Sequence, residues 1–213
     1  MVELATSRSV LADHIRRKLA STRLPTSPNV LDGGLPKGWP DSFRQHLQTD
    51  MVAAGVLLPI VEHQHELSVL FTERSAGLKH HPGQISFPGG RMESFDADVR
   101  HTALRETEEE VGIFAAQIEV LGYLDMLPTI TGYVVTPVVG LVQPGFSLRV
   151  DPSEVADVFE VPLDFLMDDR NQRHSVRKFN GTEIPILEFQ YDSYRIWGAT
   201  AAMLLSLRNL LNN

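Results

Sequence analysis

The stretch Arg105-Glu106-Thr107-Glu108-Glu109-Glu110-Val111-Gly112 decides the reading of this chain. At about 100° per residue, Glu106, Glu109 and Glu110 fall within roughly a third of a helix circumference. Val99, Ala103, Thr107 and Val111 recur at helical spacing with Leu104 beside them, so Glu106 and Glu110 are expected at the edge of a packed stripe. Glu108 points elsewhere, and Arg105 lies one turn before Glu109 and can pair with it. The spacing predicts a helix over residues 98–111, with Asp96 or Asp98 available to cap its start and Gly112 to stop it. Like charges at this spacing cost a few tenths of a kcal/mol per pair, and acids near a helix C-terminus oppose its dipole. A solvated acidic face is the ordinary reading of such a run in isolation. Bound divalent cations reverse both penalties, and an all-oxygen ligand set suits Mg²⁺ or Mn²⁺ rather than zinc.

The flanking sequence favours the cation. Upstream stands Phe87-Pro88-Gly89-Gly90, whose glycines allow close backbone approach to a ligand. Glu93 and Asp96 follow, then Arg105-Glu106, Glu109-Glu110 and Gly112. This order resembles the Nudix box: Gly, five residues, Glu, seven residues, Arg-Glu, an apolar residue, any residue, Glu-Glu, any residue, Gly and an apolar residue. Counted from Gly90, the first acid is Asp96 rather than Glu, eight residues separate it from Arg105, and Thr107 stands at the apolar position. From Arg105 to Ile113 the spacing is intact. The resemblance implies cation ligands at Glu106, Glu109 and Glu110, aided by a carbonyl of the Gly89–Gly90 loop, with Arg105 orienting the cluster.

A second motif, Leu70-Phe71-Thr72-Glu73-Arg74-Ser75 followed by Gly83-Gln84-Ile85-Ser86-Phe87-Pro88-Gly89-Gly90, resembles the signature that precedes the box in coenzyme A diphosphatases, which also share the lengthened Gly-to-Arg spacing. Residues 154–163 and 195–200 are similar to the same subgroup, so the resemblance covers roughly residues 50–211. Lys79 stands where that pattern commonly has arginine, which keeps the charge and gives up the bidentate fork. The implied reaction is metal-dependent hydrolysis of a diphosphate linkage in a nucleoside diphosphate derivative. Coenzyme A or its derivatives, giving 3′,5′-ADP and (acyl-)4′-phosphopantetheine, are the first expectation. ADP-ribose or a nucleotide sugar is the alternative substrate, and a non-catalytic nucleotide-sensing regulator the alternative of another class. Arg74 and Lys79, with Gly89 and Gly90, are the expected substrate contacts, and His80, His81 and Arg91 are further nearby positive groups. The general base is expected at Glu106 itself or at Glu154, whose plainer role is an acid at a helix start.

Composition sets the outer bounds. The chain has 213 residues, 43% hydrophobic and 22% charged, which suits an ordinary globular domain rather than disorder. With no cysteine, disulfides, thiolate metal sites and cysteine nucleophiles are excluded. The net charge of −8 argues against a phosphate-gripping nucleic-acid binder. Glu3 and Asp13 interrupt the N-terminal stretch, and no apolar run approaches the roughly 20 residues of a membrane span. A cytoplasmic protein is expected, with a small-molecule partner and, in a homodimer, a second copy of itself.

Along the chain, residues 9–20 read as a short amphipathic helix carrying Val10, Leu11, Ile15 and Leu19, and residues 23–40 as an irregular connector. Arg8, Arg16, Arg17, Lys18 and Arg23 there read as a solvated basic face. Residues 53–60 and 67–72 suggest a hairpin, residues 118–124 and 133–142 strands, residues 158–165 an apolar run broken at Pro162, and residues 199–211 a last helix over Trp197. The expected fold is α/β (α+β): a Nudix-type α/β/α sandwich with a mixed β-sheet and an N-terminal helical extension, divided into residues 1–45 and 46–213.

Overall fold

Nine apolar or small residues, interrupted only by Pro59, make the strand at the centre of this fold. In the computed structural model, which describes residues 2–25, 51–129, 131–179 and 182–212, that strand runs from Val52 to Glu62. The elements in order are α1 (Val2–Leu19), β1 (Val52–Glu62), β2 (Leu67–Arg74), β3 (Ile85–Ser86), β4 (Gly89–Arg91), α2 (Val99–Val111), β5 (Ile118–Tyr123), β6 (Leu127–Pro128), β7 (Tyr133–Val142), β8 (Val155–Pro162), α3 (Leu163–Met167), β9 (Gln172–Phe179), β10 (Thr182–Tyr191), β11 (Tyr194–Trp197) and α4 (Ala199–Asn212).

β1 lies parallel to β7 along its length, from Val52 beside Tyr133 to Val61 beside Val142. On its other side it forms a hairpin with β2 near its end and pairs with β4 near its start. β8 continues the sheet beyond β2, and β5 beyond β7. The sheet is thus mixed, and both its faces are covered, which is why its central strand reads as one apolar run rather than an alternation. Leu57 and Val61 of β1 meet Ala103 and Val111 of α2 on one face. Leu58 and Ile60 join Ile15, Leu19, Leu204 and Leu207 of α1 and α4 on the other. The result is the α/β/α sandwich expected from the sequence.

Gly55 sits at the α2 contact. A Cβ there would lie 2.1 Å from the Val99 carbonyl oxygen, so only glycine lets the first turn of α2 rest against β1. Asp98 caps the helix by accepting from His101 N, and Gly112 ends it with a left-handed φ of 78°. Thr107, where an apolar residue was expected, is buried with its hydroxyl donating to Ala103 O at 2.7 Å, so the side chain packs without an orphaned polar atom.

Several sequence expectations are revised. The N-terminal helix starts at Val2 rather than near Ser9, and it is part of the core, with Ala12, Ile15 and Leu19 buried. Arg16 pairs with Glu119 and Asp13, and Thr22 Oγ1 accepts from Tyr123 N at 2.9 Å, fixing the helix end to β5. The connector expected over residues 23–40 lies outside the described residues from Thr26 onward, as does the boundary at residue 45. A separate antiparallel sheet, ordered β11-β10-β9, went unpredicted. Trp197 ends β11, immediately before α4, and Arg177 lies 4.1 Å over its ring. Among the described residues no helix is long and apolar enough to cross a membrane.

Candidate metal and active site

α2 turns one row of its side chains toward β4 and the loop before β8. Glu106 and Glu110 stand on that row. The chain after β7 returns along the end of α2: Arg149 N donates to Val111 O and Asp151 N to Glu110 O, occupying carbonyls that a helix C-terminus leaves unpaired. Asp151 then anchors a turn, accepting from Ser153 N at 2.8 Å and Ser153 Oγ at 2.6 Å. This turn delivers Glu154 to the two helix acids. Glu106, Glu110 and Glu154 each offer a carboxylate oxygen, all within 4.8 Å of one another.

Of the three helix acids expected to converge, the structure brings together Glu106 and Glu110 and not Glu109. Glu109 is exposed, and its Oε2 accepts from Arg105 Nη1 at 2.8 Å. The reason is the side on which Arg105 lies, one turn earlier on the outer flank of α2. Glu154, which does not start a helix, supplies the third carboxylate.

Arg105 is itself held. Its Nε and Nη2 donate to the two oxygens of Asp96, each at 3.0 Å. Asp96 also accepts from Glu93 N and Thr102 Oγ1, and its Oδ1 lies 2.9 Å from His101 Nδ1. The bidentate guanidinium holds the Asp96 carboxyl far below the usual carboxylate range, with the backbone and hydroxyl donors assisting. So fixed, Arg105 Nη1 also reaches Glu106 Oε1 at 2.8 Å. Asp96, displaced by one residue from the expected spacing, thus orients Arg105, and Arg105 orients Glu106.

Burial raises the Glu106 pKa, partly offset by Arg105 and reinforced by the charges of Glu109 and Glu154. At Glu110 burial dominates and pushes the pKa up to about 8, with Arg74 opposing and Glu106 and Glu154 adding to the rise. Glu110 is 3% exposed, and its Oε2 has no hydrogen-bond partner. A buried carboxylate with a free oxygen, aimed at two others, is costly unless a positive charge joins it. The donor set is all oxygen, and it fits a hard divalent cation. β4 closes the near side: a Cβ on Gly90 would fall 2.6 Å from Glu106 Cδ, so glycine lets the backbone lie directly against the carboxylate.

The remaining expected site residues lie at different depths. Arg74, at the end of β2, places Nη1 4.0 Å from Glu110 Oε1. Lys79, His80 and His81 are exposed on the loop between β2 and β3. Among the described residues neither histidine joins a group of metal-ligating side chains. Gly89 and Gly90 lie in β4, paired with Val56 and Gly55. The Asp96–Arg105 arrangement was not foreseen as an anchor, because Glu93, Asp96 and Asp98 all precede Arg105 and only the structure shows that Asp96 is the buried one.

A family model described as the NUDIX domain matches residues 50–179. The chain belongs to the Nudix family. A Nudix hydrolase NudL of Photorhabdus laumondii subsp. laumondii is 42% identical over 154 residues, covering 72% of this chain and 82% of that protein. A Nudix hydrolase NudL of Escherichia coli O1:K1 / APEC is 39% identical over 155 residues, covering 72% and 80% respectively. A solved Ap4A hydrolase of C. elegans aligns at a TM-score of 0.46 with 18% identity, over 52% of this chain and 80% of that one. This chain is therefore a Nudix hydrolase, an enzyme of diphosphate linkages in nucleotide derivatives, and such hydrolases generally use divalent metal ions.

Proposed function

We propose that this Nudix hydrolase cleaves the diphosphate of coenzyme A, or of an acylated or oxidised form, into 3′,5′-ADP and the corresponding 4′-phosphopantetheine. The observation that supports the chemistry is the convergence of Glu106, Glu110 and Glu154 within 4.8 Å of one another, beside the guanidinium of Arg74. The substrate class is supported by the motif over residues 70–75 and 83–90, which contributes Arg74 and the Gly89–Gly90 strand to that cluster.

In this reading Glu106, Glu110 and Glu154 hold Mg²⁺ or Mn²⁺. When bound, the cation offsets the charge of the diphosphate and eases ionisation of water at the site. The protein's own residues do the rest. Arg105 keeps Glu106 in place, and Glu109 serves by holding Arg105. Glu154, on a loop and not tied to Arg105, accepts the proton of the attacking water as its oxygen bonds to phosphorus and the anhydride P–O bond breaks. A general base of this kind contributes about 10²–10⁴ in rate. Lys79, exposed on the loop between β2 and β3, meets the 3′-phosphate.

Hydrolysis of coenzyme A, dephospho-coenzyme A and ADP-ribose, with products identified, tests the reading. The highest kcat/KM is expected for coenzyme A, with 3′,5′-ADP released; a clear preference for ADP-ribose would refute it. Lys79→Ala is expected to reduce discrimination between coenzyme A and dephospho-coenzyme A about tenfold, the worth of one charge-assisted contact. An unchanged ratio removes Lys79 from the 3′-phosphate site.

A further inference from the structure

Among the described residues, two buried side-chain polar atoms lack a hydrogen-bond partner, and they belong to facing residues: Glu110 Oε2 and Arg74 Nε. Nη1 of Arg74 lies 4.0 Å from Glu110 Oε1, at the outer limit of an ion pair. A guanidinium and a carboxylate brought together in a protein interior ordinarily close into a short, doubly hydrogen-bonded pair. Here each keeps bonding capacity in reserve. The backbone of Arg74 is pinned on both sides, with its N donating to Gln84 O and its O accepting from Gly83 N, each at 3.0 Å. The β2–β8 register also shifts between Glu73 and Arg74, and Ser75 N donates to the carbonyl of Glu154 at 2.8 Å. Arg74 and Glu154 therefore sit on one bonded corner of the sheet, across the carboxylate cluster from α2.

We infer that Arg74 is the counter-ion of this cluster until a cation binds, and is then passed to the diphosphate of the substrate, so that cation binding must precede substrate binding. The inference rests on the reading of Glu106, Glu110 and Glu154 as the cation site. One guanidinium facing three carboxyl groups leaves the site without the surplus positive charge that an anionic diphosphate needs. A divalent cation takes over the neutralisation of the cluster as a whole and leaves the charge of Arg74 in surplus. Its Nε, already without a partner, and its Nη groups then present a planar fork suited to two phosphoryl oxygens. The coupling is reciprocal: a bound diphosphate must tighten the cation by the factor with which the cation tightens the diphosphate.

Titration calorimetry on the full chain tests this, using Mn²⁺ alone and methylenediphosphonate with and without Mn²⁺. Wild type is expected to bind Mn²⁺, and to bind the diphosphonate only once Mn²⁺ is present. Arg74→Met is expected to keep Mn²⁺ affinity within about threefold while losing about tenfold or more in diphosphonate affinity, the worth of a charge-assisted fork. Arg74→Lys, which keeps charge without the fork, is expected to recover part of that loss, and it carries the test alone if the Met variant does not fold. Parallel loss of both affinities would make Arg74 a mere prop for the carboxylates and overturn the inference. Unchanged diphosphonate affinity, or equally tight diphosphonate binding by metal-free wild type, would overturn it too. Failure of wild type to bind Mn²⁺ is a different result, which removes the cation site and this inference together.

Discussion

Glu110→Gln is expected to lower kcat by about 10³-fold or more, equivalent to ~4 kcal/mol of transition-state stabilisation, with the fold preserved. The substitution keeps shape and volume and removes only the charge. Glu110 is the most deeply buried member of the cluster at 3% exposed, and the loop carrying Glu154 bonds to its backbone carbonyl rather than to its side chain. The loop should therefore stay in place while the cation loses its innermost ligand. A neutral amide also avoids the desolvation cost that the carboxylate bears, so in metal-free buffer at pH 8 or above the variant should melt no lower than wild type. Steady-state kinetics at saturating Mg²⁺, paired with thermal melts by circular dichroism, check both halves. Unimpaired hydrolysis would remove Glu110 from the site.

The second large effect is a pH dependence that depends on the cation. Burial holds the Glu110 carboxyl protonated in the folded protein up to about pH 8, whereas the unfolded chain releases that proton near 4.5. Between these values the folded state binds more protons, so stability falls as pH rises across the window. Below the lower value both states are protonated and the contribution is fully present; above the upper value it is lost. The metal-free protein should thus lose a few kcal/mol, or roughly 10 °C in Tm for a chain of this size, between about pH 5 and pH 8. The cation requires the ionised carboxylate, so saturating Mn²⁺ should raise Tm far more at pH 8 than at pH 5.5 and flatten the profile. Melting curves across that range with EDTA and with Mn²⁺ measure it. Equal shifts by Mn²⁺ at both pH values would disconnect Glu110 from the cation.

The sequence carried the α2 face well because periodicity and packing agreed there. The helix expected over residues 98–111 runs from Val99 to Val111, capped by Asp98 and ended by Gly112. The β1–β2 hairpin, β7 and α4 were legible for the same reason, being apolar runs bounded by turn residues. Spacing gave direction around the helix and not the competition for partners. Glu109 lies on the correct side of the wheel, yet Arg105 reaches it first, and a loop acid distant in sequence takes the third place. That substitution depends on Arg149 and Asp151 bonding to the end of α2, a long-range contact with no periodic trace.

The β9–β10–β11 sheet was hidden by its chemistry. Gln172-Arg173-His174-Ser175-Val176-Arg177-Lys178 has no apolar alternation because the outer part of this strand is exposed, Val176 at 62% included. The Asn180-Gly181 dipeptide between two strand-length runs was the available signal for a hairpin, stronger than the side-chain pattern around it. The early start of α1 was missed because the apolar spacing legible in the sequence begins at Val10, and Ala12, Ile15 and Leu19 of that part are buried in the core.

Anomalous scattering from a crystal grown with Mn²⁺ tests the central claim most directly. The account predicts a peak bonded by carboxylate oxygens of Glu106, Glu110 and Glu154, at the roughly 2.0–2.2 Å expected for a hard divalent cation. Manganese bound elsewhere, with these three carboxylates left unligated, would contradict it.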